Sequence, residues 1–155
     1  MNKPEFFARI MRNSDLDLVV QNEAAAYGQG WSKRIFLDCL RAGYQCWVFA
    51  SKQQIVAHGV MSVAIGECHL LTLCVHPDFQ RQGLGRRMFN LLLERADKED
   101  AKICFLEVRQ SNLPALELYR SLGFVQVGQR KEYYPGKEKR EDALIMSGKL
   151  PLSGR

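Results

Sequence analysis

Apolar residues recur at three- and four-residue spacing through Leu16, Val19, Val20, Ala24 and Tyr27, the period of a helix laid on a core. Asn13 and Ser14, with Asp17 three residues after Ser14, predict a capped start for that helix, and Gly28-Gln29-Gly30 ends it. Ahead of it, Phe6 to Met11 reads as a short strand. Trp31-Ser32 opens a second short helix that carries Ile35, Phe36, Cys39 and Leu40 on one face and closes at Gly43. From Tyr44 the pattern changes to strands: Cys46 to Ser51, a polar turn at Lys52-Gln53-Gln54, Ile55 to Ile65, a turn at Gly66, and His69 to Val75. A long helix follows over Leu84 to Asp100, with Leu84, Met88, Leu91, Leu92 and Arg95 to Ala96 on one broad face. Ile103 to Val108 is apolar enough to be a strand covered on both sides. Asn112 caps a helix through Leu122, closed by Gly123 in the left-handed region. Phe124 to Tyr133 and Ala143 to Leu150 complete the pattern as two strands around a Lys-rich loop. The order β-α-α-β-β-β-α-β-α-β-β predicts an α+β, mixed-sheet domain with helices on both faces.

The chain has 155 residues, the size of one domain, and its 46% hydrophobic and 25% charged content excludes disorder and disulfide-stapled mini-proteins. With 22 Lys plus Arg against 17 Asp plus Glu the net charge is +5, which admits an anionic ligand, nucleic acid or a membrane surface and selects none. No apolar run approaches the roughly 18 residues of a membrane span. Glu5 and Arg9 interrupt the N-terminal pattern, so no secretory signal is read there, and a cytoplasmic protein is expected. Five cysteines, an odd number without a C-x-x-C pair, sit in apolar stretches and read as core thiols. His58, His69 and His76 lack ligand spacing, so no metal is expected.

Chemistry concentrates in Val75 to Arg87, where a strand end, a turn and two glycines lead into the long helix. Glycines there let backbone N–H groups approach an anion, and the helix N-terminus adds partial positive charge. The run is not a P-loop, because no Lys-Ser/Thr pair follows, and Met88 stands at the third glycine of the dinucleotide fingerprint. It is either a pyrophosphate cradle or a tight turn with a solvated basic helix start. Glu107 shares a strand face with Ile103 and Phe105. By pattern it is a solvated strand-end carboxylate or a partly desolvated base. Tyr119, one helical turn after Ala115 and Leu116, is a core tyrosine with a wet hydroxyl or a proton donor. Cys74 alternates with Leu73 and Val75 as a strand residue, which speaks against an acyl-enzyme.

Gln80-x-x-Gly83-x-Gly85 after a strand, together with the element order, resembles the GCN5-related N-acetyltransferases (GNAT). The runs Leu106-Glu107-Val108-Arg109-x-Ser111-Asn112, Leu118-Tyr119-x-Ser121-Leu122-Gly123-Phe124, Tyr133-Tyr134-Pro135 and Arg140-Glu141-Asp142-Ala143 are similar to the branch that acetylates a ribosomal-protein alanine. The resemblance implies one N-acetyltransferase domain over residues 1–155, with a basic tail at 151–155, built on a mostly antiparallel sheet of about seven strands. It implies acetyl-CoA as cosubstrate and no metal. Its pantetheine arm would bond the backbone of Leu73, Cys74 and Val75, and its pyrophosphate would sit on Arg81, Gln82, Gly83, Leu84, Gly85 and Arg86, with Asn112 also touching it. Glu107 would take the proton of the amine, and Tyr119 would protonate the departing thiolate. The implied acceptor is a protein N-terminus, the alanine of small-subunit ribosomal protein eighteen, in a groove offered by Glu23, Trp31, Tyr133, Tyr134 and Asp142. Neither a membrane nor nucleic acid is required as a partner. Two departures fall at that groove. Gln29-Gly30 stands where the family carries an aromatic and a proline, and Glu132 replaces a neutral residue. A lysine or small-molecule amine, or a non-catalytic acyl-CoA-binding module associated with the ribosome, are the other readings.

Overall fold

The computed structural model describes residues 6–28 and 30–152. Among them lie seven strands: β1 (Phe7–Ile10), β2 (Gln45–Ala50), β3 (Ile55–Ala64), β4 (Glu67–Val75), β5 (Ile103–Arg109), β6 (Val125–Tyr134) and β7 (Glu141–Lys149). Four α-helices accompany them: α1 (Leu16–Tyr27), α2 (Lys33–Arg41), α3 (Leu84–Lys98) and α4 (Leu113–Ser121). The strands form one sheet in the order β1-β2-β3-β4-β5-β7-β6. Every neighbouring pair is antiparallel except β4 and β5, which run parallel with α3 as their crossover. One core lies under α1 and α2, with Phe36, Val48 and Val60, and the other lies under α3 and α4, with Met88, Phe89, Leu106 and Phe124. The predicted element order and the helices on both faces are as observed.

Several boundaries and faces differ from the sequence pattern for identifiable reasons. The cap before α1 belongs to Arg12 and Asp15, not to Ser14 and Asp17. Asp15 accepts the Arg12 N–H at 2.7 Å and a bidentate pair from Arg9 at 2.7 and 2.8 Å. The Arg9 hydrogen bonds hold the Asp15 carboxyl below its ordinary pKa. In the second half of α1 the buried residues are Asn22 and Glu23, while Ala24 and Tyr27 are exposed, because polar partners on β3 and β4 draw the polar residues inward. Ile35 is exposed at the start of α2, where Ser32 accepts the Ile35 N–H as N-cap. On α3 the pattern passed over Phe89 and Leu93, both fully buried. Strand β5 buries only Cys104, Leu106 and Val108, since α1 and α2 lie over β2, β3 and β4 and leave its other face half-open. All five cysteines are free and buried. Leu150 and Leu152 pack into the core below α3 and α4, so the expected tail at 151–155 is still part of the fold at 152; residues 153–155 lie outside the described residues.

Candidate active site

Strands β4 and β5 pair from Glu67 and Ile103 to Leu70 and Leu106 and no further, although β4 runs on to Val75 and β5 to Arg109. The sheet therefore opens in its middle. In an antiparallel strand the N–H and C=O of one residue point to the same side, and successive residues alternate. The His76 N–H reaches the Val56 carbonyl on β3 at 2.9 Å, which turns Cys74 toward β3 as well. Leu73 and Val75 face the gap: the Leu73 carbonyl accepts the Tyr27 hydroxyl, and the Val75 carbonyl accepts Gln80 Nε2 at 3.1 Å. Of the three expected backbone partners, Cys74 is the exception. Its thiol is also directed away from the gap, to the Asn22 carbonyl at 3.5 Å, and burial pushes its pKa far up.

The gap widens into a cavity of about 380 Å³. Glu23, Tyr27, Gly30 and Trp31 wall it on the α1 side, Leu70 to Leu73 come from β4, and Glu107 to Arg109 come from β5. Asn112 and Tyr119 close it from α4, and Tyr134 and Pro135 from the end of β6. Tyr119 belongs to the core beneath α3 and α4, whereas Glu107 points to the opposite face of the sheet. They share one cavity only because the strands between them part. Burial keeps the Tyr119 hydroxyl well above its ordinary pKa, and it pushes that of Tyr134 up to about 12. Asn112 accepts the Ala115 N–H at 3.3 Å and so caps α4 at the cavity wall.

Glu107 does not lie in the apolar setting that its strand neighbours predict. Arg130 Nε on β6 is 3.3 Å from its carboxylate and His69 Nε2 is 4.0 Å away. Its charge also pushes the Tyr133 hydroxyl above the usual value. Tyr133 and Asp142 are not among the lining residues. The Asp142 carboxylate accepts the Glu132 N–H at 2.9 Å and holds a bulge in β6 where Glu132 takes φ +52°. The sequence reading missed Tyr27, Thr72, His69 and Arg130 at this site. Their partners lie dozens of residues away, and no local spacing records them.

Beside the cavity the β4–α3 turn carries the remaining expected residues. Gly83 at φ +80° is the N-cap of α3, and Arg81 also has positive φ, at +64°. A Cβ built at Gly85 meets nothing nearer than Val75 at 3.8 Å. Packing within the chain leaves that position room, and the open space fits an approaching phosphate. Arg86 donates to Ser121 at 2.8 Å, while Arg87 turns away to lie 5.2 Å over the Phe6 ring and 5.3 Å over the Phe49 ring.

The model of the acetyltransferase (GNAT) domain matches residues 14–134, which hold five of the seven strands and every cavity-lining residue but Pro135. The chain belongs to this family. It is similar to [ribosomal protein bS18]-alanine N-acetyltransferase of Escherichia coli K12, at 35% identity over 92% of this chain and 95% of that protein. It is also similar to the enzyme of the same name from Haemophilus ducreyi, at 34% identity over 86% and 92% of the two chains. The crystal structure of the Escherichia coli ribosomal-protein-S18-alanine N-acetyltransferase superposes with a TM-score of 0.89, at 32% identity and 97% coverage of both chains. The protein is accordingly an acetyl-CoA-dependent N-acetyltransferase. Beyond Leu70 the backbone groups of Leu73 and Val75 are not paired by β5. None of the described helices is long and apolar enough to cross a membrane.

Proposed function

We propose that the protein acetylates the α-amine of a protein N-terminus, in the first instance the alanine of ribosomal protein S18, in the cytoplasm. The observation that carries this reading is the presence of Glu107 and Tyr119 in one cavity at the parting of β4 and β5. Leu73 and Val75 bond the pantetheine amides, and the β4–α3 turn from Arg81 to Arg86 holds the pyrophosphate. A backbone N–H in the gap faces the oxyanion as it forms, where fixed donors are worth most. Glu107 takes a proton from the amine, directly or through water, as its nitrogen bonds to the thioester carbon. As the C–S bond breaks, Tyr119 gives its proton to the departing sulfur; a phenol kept protonated by burial is suited to that step. Glu23, Trp31 and Tyr134 meet the incoming N-terminus.

An α-amine has a pKa near 8 and a lysine amine one near 10.4, so freeing the lysine amine at neutral pH costs about 3 kcal/mol more. That difference favours an N-terminus for a site with one carboxylate base. The test is mass analysis after incubation with acetyl-CoA and a peptide panel: the S18 N-terminus, the same peptide with its α-amine blocked and an internal lysine, and unrelated N-termini. Acetylation of the free S18 α-amine ahead of the others is expected. Preferred modification of the blocked lysine peptide would overturn the reading.

A further inference from the structure

His58 is buried without exposure at the centre of β3, and no step of acetyl transfer described above uses it. Its Nε2 lies 3.1 Å from Glu23 Oε1, the same oxygen that accepts the Thr72 hydroxyl at 2.6 Å. A carboxylate oxygen only accepts, so Nε2 carries the proton in that contact. Nδ1 has no hydrogen-bond partner among the described residues. The ring edge packs against Phe36 at 5.5 Å, and Phe36 packs on Trp31 at 5.1 Å. A hydrocarbon side chain would satisfy those neighbours, whereas an imidazole buried with one orphaned nitrogen costs stability. Among the described residues the one side-chain hydrogen bond of the ring is with Glu23.

Glu23 is held from a second direction as well. A Cβ at Gly30 would come within 2.4 Å of Glu23 Cγ, so the loop after α1 presses directly on the carboxylate's stem. Both hydrogen bonds fall on Oε1 and neither on Oε2, and Glu23 lines the cavity. Cys74 Sγ is within 4.8 Å of this pair but is engaged by the Asn22 carbonyl. We infer that His58 is a positioning residue: it fixes the Glu23 carboxylate in the arrangement that meets the acceptor amine, and touches neither substrate itself. The inference rests on the role given to Glu23 above.

Steady-state kinetics of the wild type, E23Q, H58L, H58Q and E23Q/H58L with an alanine-initiated peptide and acetyl-CoA test it. H58L is expected to raise the peptide KM about tenfold with the acetyl-CoA KM unchanged. H58Q, which keeps an N–H donor, should recover to within about threefold of wild type, and E23Q/H58L should be no worse than E23Q. An impaired E23Q beside an H58L of wild-type behaviour overturns the inference, as does an additive double variant or a loss confined to acetyl-CoA. E23Q behaving as wild type overturns the role of Glu23 first. Should H58L not fold, H58N, polar but too short to reach Oε1, takes its place with the same expectations.

Discussion

Tyr119 is packed edge-on to Phe89 at 5.5 Å and near Phe124, and by those contacts it is an ordinary core residue. What distinguishes it is that its residue also lines the opening between β4 and β5. Tyr119→Phe keeps the ring packing and removes only the proton. The expected result is a kcat lowered about a hundredfold with acetyl-CoA affinity retained; equal loss of both, measured by turnover and by calorimetric binding, would remove it as the acid. Glu107→Gln should lose most at neutral pH and approach wild type as pH rises toward the α-amine pKa, where solution supplies free amine. A mutant-to-wild-type ratio that stays flat across pH would mean that Glu107 holds Arg130 and His69 in place and does no more. Both residues were candidates in the sequence through the family resemblance, the local pattern leaving a structural alternative for each. Their partners were not, since Arg130 reaches Glu107 from a strand that joins the sheet only through β7.

Strand β4 has two lives along its length: from Glu67 to Leu70 it is a central strand, and from Leu71 to Val75 it borders only β3. Hydrogen exchange should register this by residue. Acetyl-CoA is expected to slow exchange of the Leu73 and Val75 amides and leave Cys74, already turned to β3, unchanged. Protection that includes Cys74 equally would contradict the alternation. The seating of α3 on the sheet is decided at Gly59, where a Cβ would come within 2.7 Å of Leu92 and 3.0 Å of Met88. Gly59→Ala should therefore cost about 1–3 kcal/mol by overpacking, read as a lower denaturation midpoint; unchanged stability would mean that α3 shifts freely. The sequence showed Gly59 only as one glycine within a strand, because the helix that crowds it comes roughly thirty residues later.

At the scale of the whole molecule, the parting of the C-terminal parts of β4 and β5 separates β1 to β4 from β5 to β7, and a bound chain in it would join the two. Acetyl-CoA at a hundredfold excess over Kd should raise stability by about 2.7 kcal/mol, a melting shift of roughly 5–10 °C for a chain of this length. The same addition to Gly85→Glu, which places bulk and charge in the turn, should produce no shift. A normal shift there would argue against the β4–α3 turn as the pyrophosphate site. The net charge of +5 divides on the same scale. Arg81 and Arg86 stand at the turn, Arg87 packs on aromatic rings, and the largest local excess of the C-terminal region lies in the loop between the last two strands, where Lys137, Lys139 and Arg140 face a single acid, Glu138.

Element order, the glycine turn and the Asn112 cap of α4 followed from the sequence alone, because periodicity, capping and turn chemistry are set by neighbours a few residues apart; Glu107 and Tyr119 stood out only through the family resemblance, since by local pattern each also reads as structural. Only the tertiary structure decided that β4 and β5 separate after four residues, that Cys74 turns its backbone to β3, and that Glu23 is clamped by His58 and Thr72. Those outcomes depend on contacts between residues 35 and 49 positions apart, and on which strand happens to lie beside which, information that no local pattern of hydrophobic and polar residues contains.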